Sequence, residues 1–145
     1  MTPAVGGWHS VGASDDDHDD PALRADSQRD NLAKVGSLMG DERIGLAAPL
    51  EGRVGFRCVA PDRLPLVGAL PAAQHGAGVE RLREIVRHPG LYGLLGYASR
   101  GLTWAPLAAE LLASQLHGDP LPLEADLATA LDPARFILRA RRRPV

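Results

Sequence analysis

The chain has 145 residues, enough for one ordinary domain or a piece of a larger one. A net charge of −2 gives no global pull toward nucleic acid or membrane, one cysteine excludes an internal disulfide framework, and no apolar run approaches the ~20 residues that cross a bilayer. The N-terminus lacks the basic and apolar regions of a signal peptide, which together with the lone Cys58 points to a reducing cytoplasm.

Residues 1–14 are Gly-rich with alternating apolar positions, Trp8 and Val11 among them, and predict a short strand with Trp8 in the core. Asp20 then suits an N-cap and Pro21 the first position of a helix running to Met39, with Gly40 as its stop. The acidic run Asp15 to Asp20 has a structural reading here, because carboxylates are favourable at a helix N-terminus. Val54 to Ala60 is β-branched and aromatic with period-two character, and predicts a strand. Leu64 to Gly68 resumes as a second extended piece. Gln74 to Gly78 reads as a loop, and Val79 to Val86 as one or two helical turns.

Leu91 to Leu95 is apolar on both faces, as in a buried parallel sheet. A loop of small residues follows, then a helix from Trp104 or Ala105 to Leu116, with Thr103 as N-cap and Pro106 in the first turn. Leu107, Leu111 and Leu112 mark its apolar stripe. Leu123 to Leu131 predicts another helix, and Asp132-Pro133 caps a last one ending near Leu138, with a frayed tail beyond. The strand–loop–helix order presents bare backbone N–H groups where an anion or polarised ring edge can sit. The first dinucleotide-binding turn, G-x-G-x-x-G after a strand, is missing. Helices and strands alternate, but with too few strands for a complete sheet. An incomplete α/β fold is expected, a C-terminal fragment whose missing part supplies the other strands.

Few side chains carry chemistry. Arg57, between Phe56 and Cys58, is either a buried ion-pair partner or a carboxylate anchor, since its planar fork donates two parallel hydrogen bonds. Ser99 and Arg100 form either a solvated turn or a set of donors near an anionic group. The acidic cluster with His18 lacks the ligand spacing of a calcium loop, and the other histidines lack metal spacing. Cys58 reads as a buried small apolar residue. No Ser-His-Asp or Cys-His constellation is evident. The arginines from 139 to 143 either touch RNA phosphate or are simply solvated.

Two segments together carry a resemblance. Val54-Gly-Phe-Arg-Cys-Val-Ala-Pro-Asp-Arg-Leu-Pro-Leu-Val-Gly68 resembles the D-amino-acid-oxidase-like flavoprotein pattern of an apolar-Gly-apolar-Arg strand followed by Asp-x-x-Pro-x-x-Gly. Gly96 to Glu110 resembles that superfamily's C-terminal flavin loop and helix. Ser99-Arg100-Gly101-Leu102, Ala105-Pro106-Leu107, Pro120-Leu-Pro-Leu-Glu124 and Ala130-Leu-Asp-Pro-Ala-Arg-Phe136 narrow the likeness. They are similar to the FAD-dependent oxidoreductase domain of the bifunctional tRNA 5-methylaminomethyl-2-thiouridine biosynthesis proteins. The resemblance implies the C-terminal part of a D-amino-acid-oxidase-like FAD-binding fold. Residues 1–60 would be mostly substrate-domain and 91–118 the flavin-facing strand–loop–helix.

It also implies a tRNA substrate. The flavin would oxidise the carboxymethylaminomethyl group of the wobble uridine, the arm would leave as glyoxylate, and a separate methyltransferase domain using S-adenosylmethionine would methylate the amine. Arg57 would grip the substrate carboxylate. Gly96, Tyr97, Ala98, Ser99, Arg100, Gly101, Leu102 and Thr103 would contact FAD. Ala98 stands where that family often has glycine, so a positive φ there would be strained. Without the dinucleotide-binding turn and the methyltransferase domain, the isolated chain is expected to bind flavin poorly and not to turn over. A glycine- or D-amino-acid-oxidase-like fragment, and a non-catalytic module that binds a partner through an unpaired sheet edge, are the alternatives.

Overall fold

A computed structural model describes residues 1–41, 43–44, 50–73 and 79–142. The chain divides into two compact units, residues 1–56 and 57–145.

In the first unit, residues 1–14 form less than the expected strand. A turn through Gly6 and Gly7 brings Val5 and Trp8 into one antiparallel bridge, and Trp8 is exposed rather than in the core. Helix α1 spans Ala25–Met39, starting later than Pro21. The reason is local: the Asp20 carboxylate accepts the Ala22 N–H at 2.9 Å and closes a turn of its own, while Arg24 stays extended. Gly40 ends the helix in the left-handed region, with the Asp41 N–H bonded to the Gly36 carbonyl at 3.0 Å. Within the acidic run, His18 accepts the Asp20 N–H at 3.2 Å and lies 2.7 Å from Arg24. Among the described residues no three metal-ligating side chains gather.

The second unit is built on two antiparallel strands, β1 (Leu66–Pro71) and β2 (Arg87–Leu95). Leu66 pairs with Leu95, Val67 with Leu94, Gly68 with Gly93 and Ala69 with Tyr92. Between the strands, Val79 to Val86 forms only one 3-10 turn, Leu82–Glu84, whose Glu84 carboxylate accepts the Arg81 N–H. The loop expected at Gln74 to Gly78 lies outside the described residues. Two strand expectations are corrected. Residues 54–58 form no strand, and that segment contributes a single bridge, Val59 to Tyr97. Leu91 to Leu95 belongs to an antiparallel pair and is largely exposed, not buried in a parallel sheet. The cause is shared: both segments have the composition of interior strands, but among the described residues the sheet has two strands, which do not cover them.

Three helices pack on the sheet unit. Helix α2 spans Gly101–His117, beginning before the expected Trp104, so Arg100 and not Thr103 takes the N-cap position and Pro106 lies inside the helix. The α3 helix spans Ala125–Leu131, and α4 runs Arg135–Arg142, continuing past Leu138 where fraying was expected. The core gathers Val67, Ala108, Leu111, Ala128 and Leu131, flanked by Leu64, Tyr97, Trp104, Leu112 and Leu123. Leu111 and Leu112 thus face inward as the periodicity required, while Leu107 turns outward and Ala108 takes its place. Gly68 permits this close approach: a Cβ there would stand 2.9 Å from Gln115 of α2.

Candidate functional site

The loop between β2 and α2 is shaped by backbone. Gly96 turns the chain at φ 72°, against Leu66 and Ala60, and Ala98 follows at φ 52°. That value is the strained left-handed conformation that the Gly-to-Ala departure implied, since a Cβ crowds the following carbonyl there. The Arg100 N–H donates to the Tyr97 carbonyl at 3.0 Å, and the Arg100 carbonyl accepts Thr103 and Trp104 N–H groups as α2 begins. No side chain caps that helix. Its first amides therefore have no intrahelical acceptor. Ser99, Arg100, Leu102 and Thr103 are exposed, with Leu102 at 98%.

Arg57 is brought to this loop by its own backbone. One residue on, the Cys58 carbonyl accepts the Ala98 N–H at 3.2 Å, and Val59 bridges Tyr97. The structure thus brings Arg57 and residues 97–98 together across forty residues of sequence. Arg57 itself is exposed and lies outside any strand, and Cys58 is exposed rather than buried. Not every loop residue displays its side chain. The Tyr97 ring packs on the core with its hydroxyl buried and unbonded, and burial raises its pKa. Arg100 reaches back to the Arg63 carbonyl and lies 6.0 Å from the centre of the Trp104 ring.

The residues that hold the site in place include some the sequence reading did not single out. Ala60 to Pro65 forms a turn closed by the Arg63 N–H on the Ala60 carbonyl at 2.8 Å, with Ala60 and Pro65 buried at its ends. The Asp62 carboxylate accepts the Leu64 N–H and receives a two-pronged grip from Arg135 of α4, both contacts at 2.9 Å. Arg135 is only 4% exposed and also donates to the carbonyls of Leu64, Leu131 and Asp132. All five of its N–H donors are used. Arg139 adds a second cation to Asp62. The Arg135 fork holds the Asp62 carboxyl well below the usual carboxylate range. A similar pair, Arg87 with Asp132 at 2.9 Å on both prongs, ties the start of β2 to the α3–α4 corner. Asp62 and Arg135 both stood inside quoted motifs. Only their separation of 73 residues hid the contact.

Whether the loop suits a flavin is testable on its shape. An uncapped helix start, small residues with a left-handed backbone at Gly96 and Ala98, and a Gly101 whose added Cβ would make only ordinary contact with Tyr97 at 3.8 Å stand beside the exposed Leu102. Their backbone donors and the Leu102 side chain are chemically compatible with FAD, which would lie against them.

Comparison with known proteins identifies the family. Three relatives carry the name tRNA 5-methylaminomethyl-2-thiouridine biosynthesis bifunctional protein MnmC. The one from Azoarcus sp. (strain BH72) is 55% identical over 98% of this chain and 23% of its own length. Its counterpart in Aromatoleum aromaticum is 51% identical with the same coverage. In Burkholderia thailandensis the relative is 48% identical over 99% of this chain and 23% of its own length. The chain thus spans about a quarter of the length of these relatives. The family profile described as FAD dependent oxidoreductase matches residues 1–115. By that match and those identities, the chain belongs to the FAD-dependent oxidoreductase family.

Proposed function

We propose that this chain is the substrate-gripping and flavin-facing part of an oxidoreductase that removes the carboxymethyl group from 5-carboxymethylaminomethyl-(2-thio)uridine at the wobble position of tRNA. The observation that carries the proposal is the Cys58–Ala98 hydrogen bond with the Val59–Tyr97 bridge, which fastens the Arg57 segment to the loop. The group to be oxidised is in effect an N-substituted glycine, and an exposed guanidinium is the side chain suited to its carboxylate.

FAD, when bound, supplies the two-electron acceptor. The chain's own part is positional: Arg57 holds the carboxylate so that the adjacent carbon stands at one distance from the loop. The first amides of α2 and the backbone of residues 96–103 would hold the cofactor, and the helix N-terminus would favour negative charge gathering there. Oxidation of the C–N bond to an imine, followed by addition of water and loss of the amine, releases the arm as glyoxylate. This route needs no side-chain nucleophile. The rest of a full-length protein would supply the ADP-binding half and a methyltransferase that uses S-adenosylmethionine. The enzyme works in the cytoplasm, and this chain alone binds FAD weakly and does not turn over.

In the full-length, flavin-loaded protein, Arg57→Ala lowers kcat/KM for the carboxymethylaminomethyl tRNA by at least ~100-fold, the value of a lost charge-assisted pair. A near-normal value overturns the anchor role. Oxidation of free glycine or sarcosine without tRNA assigns the fold to a small-amine oxidase instead. A stoichiometric flavin absorbance on the 145-residue chain alone overturns the expectation of weak binding.

A further inference from the structure

We infer that Arg135 is a positioning residue, setting through Asp62 and the 60–65 turn where the Arg57 segment lies against the 96–103 loop. The inference rests on the reading of Arg57 as the carboxylate anchor.

The contacts form one path. Helix α4 holds Asp62 and the Leu64 carbonyl through Arg135. The turn these two residues belong to is held from the other side by Arg100, which donates to the Arg63 carbonyl from the start of α2. Immediately before the turn, Val59 bridges Tyr97 and the Cys58 carbonyl takes the Ala98 N–H. Immediately after it, Pro65 and Val67 are fully buried, so the turn cannot move toward the core. What remains adjustable is its approach to the loop, and that is where Arg135 and Arg100 act. A guanidinium with all five donors satisfied by acceptors on two segments, residues 62–64 and 131–132, has one low-energy placement, and it transmits that placement to whatever it holds. Helix α4 also lies beyond the 1–115 span of the family match, so the clamp adds to the general fold an element from outside that span.

The test is amide hydrogen exchange on the 145-residue chain. Arg135→Lys keeps the charge but cannot fill a planar fork. It should speed exchange of the Ala98 amide by at least ~10-fold while the β1–β2 ladder amides keep their rates, because local opening and global unfolding are read separately. Asp62→Asn, which keeps the side chain's shape, should do the same and serves if Arg135→Lys does not fold. An unchanged Ala98 rate, or a uniform rise at every amide, overturns the inference. Exchange judges the coupling alone, and the Arg57→Ala turnover assay judges the anchor reading, so failure of one is not mistaken for failure of the other.

Discussion

Arg57 and Arg135 sit at opposite extremes of one unit. Arg135 is buried, has every donor used, and joins α4 to the turn before β1. Arg57 is exposed and outside regular structure, and its backbone neighbours Cys58 and Val59 are fastened to the 97–98 loop. The same side chain therefore serves two ends. An arginine whose fork is filled by protein acceptors stabilises the fold. An arginine on an exposed segment, positioned by its backbone, is the kind we propose for a ligand carboxylate.

The contrast breaks if the two arginines respond alike to truncation, and the largest effect expected is on stability at Arg135. Arg135→Met should destabilise the chain by about 3 kcal/mol, measured by urea denaturation, because it leaves the Asp62 carboxylate without its main partner. A loss below ~1 kcal/mol would place Arg135 among ordinary surface ion pairs.

Acid sharpens the same comparison. The Asp62 carboxyl is held below its ordinary value chiefly by the Arg135 fork. Its contribution to stability is therefore complete above the unfolded value of ~3.9 and is lost as pH falls from there toward the folded value. Wild-type stability should drop more steeply below about pH 4 than that of Asp62→Asn. Parallel curves would mean that the pair does not govern acid unfolding.

A smaller effect lies in the loop. Ala98→Gly should stabilise the chain by about 1 kcal/mol, since glycine adopts φ 52° without a Cβ clash. A loss of stability would show that the Ala98 methyl makes contacts worth more than the strain. The smallest change is expected at Arg57: in the chain alone, Arg57→Ala should shift stability by no more than ~0.5 kcal/mol, as for an exposed side chain. A larger cost would give Arg57 a structural duty and weaken its role as an anchor.

Much of the local structure was legible. The stop at Gly40 and the inward face at Leu111 follow from rules acting within a few residues, while the strained backbone at Ala98 was expected only from the family likeness. Helix starts were misplaced for an equally local reason. Asp20 closed its own turn instead of capping α1, and α2 began at Gly101 with no side-chain cap at all. Residues 54–60 and 91–95 read as interior strands because their composition is that of interior strands, yet composition does not supply the neighbouring strands that would cover them.

By itself, the sequence determined the strand–loop–helix around Gly96 and the family likeness, because each depends on residue type and short spacing. Tertiary structure alone decided that Arg135 is sealed into the fold, and that residues 57–59 lie beside 97–98. Those outcomes depend on acceptors up to 73 residues away, brought within hydrogen-bonding range only when the helices close over β1.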